Sequence, residues 1–257
     1  MADKLVIWRV PLPKQMSQKK QVFLSAEWRD LVMLNYEVDG KLLNDYVPPG
    51  TVLDSFDGRT YMSLVGFQFR HTKLFGSLRI PFHVDFDEVN LRFYVRRKEG
   101  NEDRRGVVFI AEIVPKWAVA QVARFAYGEN YICLPMKHCV NANGASKTAE
   151  YAWQFNGAWC KLHAHASVAP APAEEGSLEQ FISEHYWGYS SQGNGHSLEY
   201  HVSHTPWNVW TSTGAGFEGD ASDLYGLELG KVLQRRPDSA FIADGSPVIV
   251  FAGNKIQ

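Results

Sequence analysis

Tyr151-Ala152-Trp153-Gln154-Phe155-Asn156-Gly157-Ala158-Trp159-Cys160-Lys161-Leu162-His163-Ala164-His165-Ala166-Ser167-Val168 decides the fold class. Two alternating runs flank Asn156-Gly157, the dipeptide that a two-residue type I′ turn requires because both of its residues need positive φ. That turn fixes the register. Phe155 opposes Ala158, Trp153 opposes Cys160 and Tyr151 opposes Leu162, so all six share one apolar face. Gln154, Trp159, Lys161, His163 and His165 fall on the other face, which is mostly polar.

The same period of two recurs outward from this hairpin. Tyr61 to Arg70 reads as a strand with Tyr61, Val65, Phe67 and Phe69 available for packing. Asn90 to Arg97 and Gly106 to Val114 read as two more, with Lys98 to Asp103 as the solvated tip between them. Helical period is clear only between Lys116 and Tyr127, where Ala118, Val119, Val122, Phe125 and Ala126 form a stripe. Pro115 stands at its entry and Gly128 at its exit. A second helix is expected after Asp220, through Leu224 and Leu227. Pro170 to Gly176 reads as a loop flanked by strands. There are no repeats, so the reading is α+β, mainly antiparallel β with a few helices, in a single domain spanning 1–257.

Composition bounds the function classes. The chain has 257 residues, 45% of them hydrophobic, with Lys+Arg 26 against Asp+Glu 28. Low hydrophobicity and high net charge, the signature of disorder, are both missing. No surplus of basic residues supports a general nucleic-acid partner. Leu5 to Trp8, broken by Arg9, is too short for a signal-peptide core, and no run approaches the roughly 18 apolar residues of a membrane helix. With Cys133, Cys139 and Cys160 an odd set in such a chain, reduced thiols and a cytoplasmic location are expected.

Several constellations bear on chemistry. Cys160, His163 and His165 have metal-like types, but the hairpin register sends the thiol and the imidazoles to opposite faces, so no metal or cofactor is expected. Gly193-Asn194-Gly195 and Gly214-Ala215-Gly216 lack the strand-to-helix context of a phosphate loop and read as turns. Glu112 is the conspicuous residue. In Val107 to Val114 the faces read Val107, Phe109, Ala111, Ile113 and Val108, Ile110, Glu112, Val114, apolar on both sides except for one carboxylate. An unpaired buried charge costs several kcal/mol, so Glu112 either pairs with Arg92 or Arg96 from the neighbouring strand or serves as a site carboxylate. Lys116, in the first turn of the expected helix, is either solvated or pushed toward its neutral, nucleophilic form by the helix dipole. In the expected hairpin of Glu184 to Tyr189 with Leu198 to His204, the residues Leu198, Tyr200, Val202 and His204 share a face. Tyr200 and His204 thus line either a ligand cavity or a polar-tipped core.

A set of segments in one order then resembles a known family. They are Leu53-Asp54-Ser55-Phe56-Asp57-Gly58-Arg59, Val65-Gly66-Phe67, Glu88 to Arg96, Arg105 to Ile110 followed by Glu112-Ile113-Val114-Pro115, Glu184-His185-Tyr186-Trp187-Gly188-Tyr189, and Ser239-Ala240-Phe241. Together they resemble the YqjF-like family of bacterial domains of unknown function, from about Phe23 to the C-terminal strand. That family is grouped with the acetoacetate decarboxylase-like superfamily, which implies a cone-shaped, mostly antiparallel β-barrel around a cavity with small peripheral helices. It also implies a Schiff-base lysine whose pKa is depressed by an adjacent lysine. Glu112 and Lys116 match the corresponding stretch, whereas Ala111 stands where the superfamily enzyme has an arginine and Trp117 where it has the second lysine.

Two readings follow. One is a non-catalytic barrel whose cavity, lined by Tyr94, Tyr186, Trp187, Tyr200 and His204, holds a small apolar, aromatic or carboxylate ligand. The other is an enzyme on a keto acid in which Lys116 forms the imine, Glu112 handles protons and Arg92 holds the substrate carboxylate. Either leaves a homo-oligomer open.

Overall fold

The computed structural model describes residues 21–256; the Leu5 to Trp8 run lies outside them. Its strands follow a path from Ser239–Phe251 through Val22–Val38, Thr60–Leu74, Phe86–Glu99, Glu102–Val114, Trp187–Gly193 and His196–His204. Val202, Ser203 and His204 then pair with Val250, Ile249 and Val248, which returns the path to its first strand. The pairings therefore form a closed circuit, so these strands protect one another's edges. All neighbours in it are antiparallel except Trp187–Gly193, which runs parallel to Glu102–Val114 through Trp187↔Gly106 and Gly188↔Val107.

The circuit strands Val22–Val38, Thr60–Leu74, Phe86–Glu99 and Glu102–Val114 are buried on both faces over their central stretches because two layers use them. On Phe86–Glu99, Val89, Leu91, Phe93 and Val95 point outward into one apolar cluster. Phe86 and Tyr94 point inward into another, and Glu88, Asn90 and Arg92 share their phase. The outer layer is a second, four-stranded sheet of Met136–Asn143, Ser146–Phe155, Ala158–Ala166 and Gly214–Glu218. Here the Asn156-Gly157 hairpin lies. Its residues have φ of 49° and 80°, and the register Phe155↔Ala158, Trp153↔Cys160, Tyr151↔Leu162 is as expected. Tyr151, Trp153, Cys160 and Leu162 are buried against Val32, Leu64 and Leu91 of the circuit. Gly66 makes that approach feasible, because a Cβ there would meet the Tyr151 ring at 2.8 Å and Leu162 at 3.0 Å.

Several local expectations are corrected. The tip between Phe86–Glu99 and Glu102–Val114 is only Gly100-Asn101, since Glu99 already pairs with Glu102. Gly214-Ala215-Gly216 belongs to a strand, not a turn. The Pro170 to Gly176 stretch leads into a short helix, α2 (Leu178–Ser183), capped by Ser177. Helix α1 (Trp117–Tyr127) ends on left-handed Gly128 at φ 66°, as its glycine signals. Its buried residues are Ala120 and Tyr127, and Phe125 is 95% exposed. Val119, Val122 and Ala126 of the expected stripe do face the barrel, and Phe125 does not. After Asp220 come α3 (Ser222–Tyr225) and α4 (Leu227–Leu233). Among the described residues, no helix is long and apolar enough to cross a membrane.

The most consequential correction is one residue wide. Leu91 pairs with Ala111, but Arg92 pairs with Phe109, so Ile110 is an extra residue in the ladder. Such a bulge shifts the side-chain phase of everything beyond it. Val107 and Phe109 face inward before it, and Glu112 and Val114 face inward after it, while Val108, Ile110, Ala111 and Ile113 face the outer layer. Glu112 therefore shares the inner face with Phe109, against the unbroken alternation expected from sequence.

Candidate functional site

The inner face of the circuit surrounds a cavity of about 140 Å³. One water needs roughly 10–15 Å³ by this measure, so the space suits a small organic molecule. One wall is aromatic: Trp28 meets Phe67, Phe69 and Trp207 edge-on, and Phe69 stacks on Phe86 with centroids 4.7 Å apart. Val119, Val122, Ala123 and Tyr127 of α1 line it from another side.

Against this apolar surface stand three buried carboxyls. Glu88 and Glu112 come from neighbouring strands and Glu129 from the segment after α1, and all three line the cavity. Asn90, directly opposite Glu112 in the ladder, donates from Nδ2 to Glu88 Oε1 at 3.0 Å. Tyr131 donates to Glu88 Oε2 at 3.3 Å, and Tyr200 donates to Glu129 Oε1 at 2.5 Å. Tyr200 can lie there because Gly188 opposite it has no side chain; a Cβ at 188 would stand 2.1 Å from the Tyr200 Cζ.

Burial raises the pKa of all three carboxyls. Glu88 is pushed up to about 7, first by burial and then by the charge of Glu129, against the opposing hydrogen bond from Asn90. Glu129 is also pushed up to about 7 by burial, with the hydrogen bonds from Tyr200 and Glu112 holding it back. Glu112 lies well above the carboxylate range, through burial and the charges of Glu129 and Glu88. The three carboxyls are close enough to act on one another's charge, so the cluster titrates as a unit.

Arg92 lines the same cavity two residues along the strand from Asn90. Its guanidinium donates to the Ile182 carbonyl at 3.3 Å and lies 5.7 Å from the centre of the Tyr94 ring. It forms no ion pair among the described residues, and its Nε has no hydrogen-bond partner there. The pairing expected from sequence, Glu112 with Arg92 or Arg96, is not formed. Asn90 takes the position opposite Glu112, and Arg96 is exposed and pairs with Asp103 at 3.8 Å.

The remaining sequence candidates divide. Trp187, Tyr200 and His204 line the cavity with Arg92 and Glu112. His204 stacks on Trp207 at 4.5 Å, and its Nε2 lies 3.3 Å from the His185 carbonyl. Tyr94 is buried one position beyond the cavity wall, hydrogen-bonded to Ser63 at 2.6 Å and stacked on His185 at 4.6 Å. Tyr186 packs behind His204 at 4.9 Å and does not reach the wall. Lys116 is the N-cap of α1, half-buried, with extended backbone at φ −117°, ψ 108°, and it is not a lining residue. Sequence reasoning missed Glu88, Asn90, Glu129, Tyr131 and His185. For Glu88 and Asn90 a signal existed, since with Arg92 they place polar groups at every second residue of a stretch, 88–95, that is otherwise apolar or aromatic. Glu129, in a connecting segment, carries none. His185 is buried neutral, its pKa held well below the usual value by burial and by the charges of Arg105 and Arg92.

Comparison with known proteins agrees with this architecture. A curated relative, the uncharacterized protein YqjF of Bacillus subtilis (strain 168), is 25% identical over 203 residues, 79% of this chain and 81% of that protein. The acetoacetate decarboxylase of Legionella pneumophila superposes with a TM-score of 0.66 at 12% identity, covering 100% of this chain and 98% of that one. The enduracididine biosynthesis enzyme MppR complexed with pyruvate gives 0.64 at 14% identity, covering 99% of each. At such identities the likeness is one of fold, the acetoacetate decarboxylase-like fold with its mostly antiparallel sheet. Residues 25–247 match the model of the DUF2071 family, described as an uncharacterized conserved protein, and the chain belongs to that family.

Proposed function

We propose that this protein binds a small, largely apolar carboxylate in the barrel cavity, with Arg92 as the anchor for the anionic end. The observation that carries this reading is Arg92 itself. A guanidinium 8% exposed stands on the wall of an apolar cavity with no ion-pair partner in contact with it among the described residues, and only the charge of Glu88 further along the wall acts on it. A ligand carboxylate would complete the guanidinium through paired N–H donors. The aromatic wall of Trp28, Phe67, Phe69 and Phe86 supplies the apolar complement. The chemistry within reach of a bound ligand is proton transfer, with Glu112 and Glu129, neighbouring carboxyls that burial pushes upward, as the groups that would carry the proton.

Titration with 3-phenylpropionate, followed by the fluorescence of the lining tryptophans, tests the reading. Saturable quenching that weakens at least tenfold in Arg92→Met is expected. Absence of saturation, or equal affinity in the variant, would refute it.

A second reading, an imine-forming enzyme on a keto acid through Lys116, draws support from the pyruvate complex of MppR, which shares the fold. It requires the Lys116 amine to reach the cavity from the N-cap of α1. The carboxylate reading needs no such movement.

A further inference from the structure

Two acceptor atoms on the cavity wall are left over once the carboxyl cluster has been accounted for. Asn90 gives its amide N–H to Glu88, so its Oδ1 faces away from that bond, and this oxygen has no hydrogen-bond partner among the described residues. Glu112 Oε2 is in the same condition. Both side chains are 1% exposed, both line the cavity, and they are direct partners across the antiparallel ladder. Opposed side chains in such a ladder have Cβ atoms roughly 4.5–5.5 Å apart, so the two side chains lie side by side on the wall. A buried acceptor without a donor costs about 1–3 kcal/mol, which a suitable ligand group would recover.

The same strand wall is polarised along its length. Glu88, Asn90 and Arg92 occupy successive inward positions, so an acidic end, a neutral amide and a cationic end follow one another at the roughly 7 Å spacing of alternate strand residues. An anion belongs at the Arg92 end. At the other end the groups on offer are acceptors and carboxyls, which favour a nitrogen that donates several hydrogen bonds and carries positive charge.

We infer that the ligand is an amino carboxylate with an apolar body: its amino nitrogen donates to Asn90 Oδ1 and Glu112 Oε2 while its carboxylate sits at Arg92. The inference rests on the Arg92 reading above and adds the amino group to it. The three carboxyls carry the countercharge for an ammonium, and the aromatic wall takes the side chain. Glu88 and Glu129 then act as positioning residues, through Asn90 and through Tyr200 respectively.

The test compares three compounds with a common phenylpropyl body on the full-length chain: 3-phenylpropionate, phenylalanine and 3-amino-3-phenylpropionate. Dissociation constants from tryptophan fluorescence are expected to be at least tenfold lower for one of the two amino acids than for the parent acid. In Glu112→Gln and in Asn90→Leu the ratio between amino acid and parent acid should fall toward one. If neither amino acid gains over 3-phenylpropionate, the amino group has no site and the inference is overturned, while Arg92-dependent binding of the parent acid would leave the carboxylate reading standing. If the gain persists in both variants, the amino group lodges elsewhere and the inference again fails. If none of the three compounds binds at millimolar concentration, both readings fall. The wild-type comparison decides the question even where a variant does not fold.

Discussion

Asn90 and Glu112 stand opposite each other in the antiparallel ladder; both line the cavity, and each has a buried side-chain oxygen without a partner among the described residues. Glu112 would not stand there without the extra residue at Ile110, which sets its phase inward. A regular ladder would have placed Ala111 and Ile113 on the inner face and Glu112 in the apolar outer layer, where an acid has nothing to meet.

The first prediction concerns pH. Glu88 and Glu129 rise in the folded protein from an ordinary 4.5 to about 7, and Glu112 is also held well above 4.5. Between those values the folded state binds more protons than the unfolded state. Stability contributed by these groups is therefore full below about pH 4.5 and is lost as pH rises through 7. The groups facing Glu112 are Glu88, Glu129, Tyr131 and Tyr200, with Arg92 further along the wall, so substitution at 112 relieves the most crowded member. Glu112→Gln should raise the Tm by about 2–6 °C at pH 8 and change it little at pH 5, a difference of about 1–2 kcal/mol. Thermal unfolding of both proteins across that range measures it, and a larger gain at pH 5 would reverse the assignment.

A second expectation separates stability from binding at Arg92. Because its Nε is unpartnered and its one protein hydrogen bond is to the Ile182 carbonyl, Arg92 contributes little to the free fold. Replacing such a buried charge by an apolar side chain of similar length is often neutral or stabilising by about 1–4 kcal/mol. Arg92→Met should therefore unfold at the same or a higher denaturant midpoint than the parent while losing carboxylate affinity. A lower midpoint, equivalent to an unfolding free energy reduced by several kcal/mol, would mean that the guanidinium serves the fold instead.

How much of this was legible in the sequence follows from where each signal resides. Asn156-Gly157 carries its turn type and register in two residues, and the hairpin at the middle of the outer sheet followed from them. Strand existence was equally local. The site was not, because its geometry depends on pairing between distant segments. The bulge at Ile110 leaves no mark in Val107 to Val114, where both faces are apolar around it. Glu129 reaches the cavity only because α1 brings the chain back to the barrel wall. Phe125 misled in the opposite sense, since it fits the apolar stripe by spacing, while the packed line of α1 is carried by smaller side chains and Tyr127. Tyr200 and His204 were placed inward correctly, as alternation on one strand needs no partner to be read.

Gly188 gives a third prediction. The Tyr200 ring lies against its backbone, so that a methyl group at 188 would overlap Cζ at 2.1 Å and the hydroxyl oxygen at 2.4 Å. Gly188→Ala must push the ring aside and take its hydroxyl away from Glu129. A destabilisation of about 1–3 kcal/mol is expected from overpacking. Glu129 would lose the hydrogen bond that favours its ionised form, so its pKa should rise further. Carboxyl resonances followed by NMR in the variant would show this; an unchanged titration would mean that Tyr200 holds its place.

The last prediction bears on Lys116. As N-cap of α1 it has no side-chain capping hydrogen bond, and its neighbour Trp117 is 68% exposed. No lysine is among the cavity-lining residues described. The pKa depression that makes a lysine nucleophilic comes from burial in an apolar pocket or from a second cation beside it, and Trp117 occupies the adjacent position. Incubation with pyruvate and borohydride should therefore leave Lys116 unmodified in a peptide mass map under conditions that trap an authentic imine enzyme run alongside. A stoichiometric mass increase on Lys116 would establish instead that α1 moves to admit the amine, and would favour the keto-acid enzyme over the carboxylate-binding barrel.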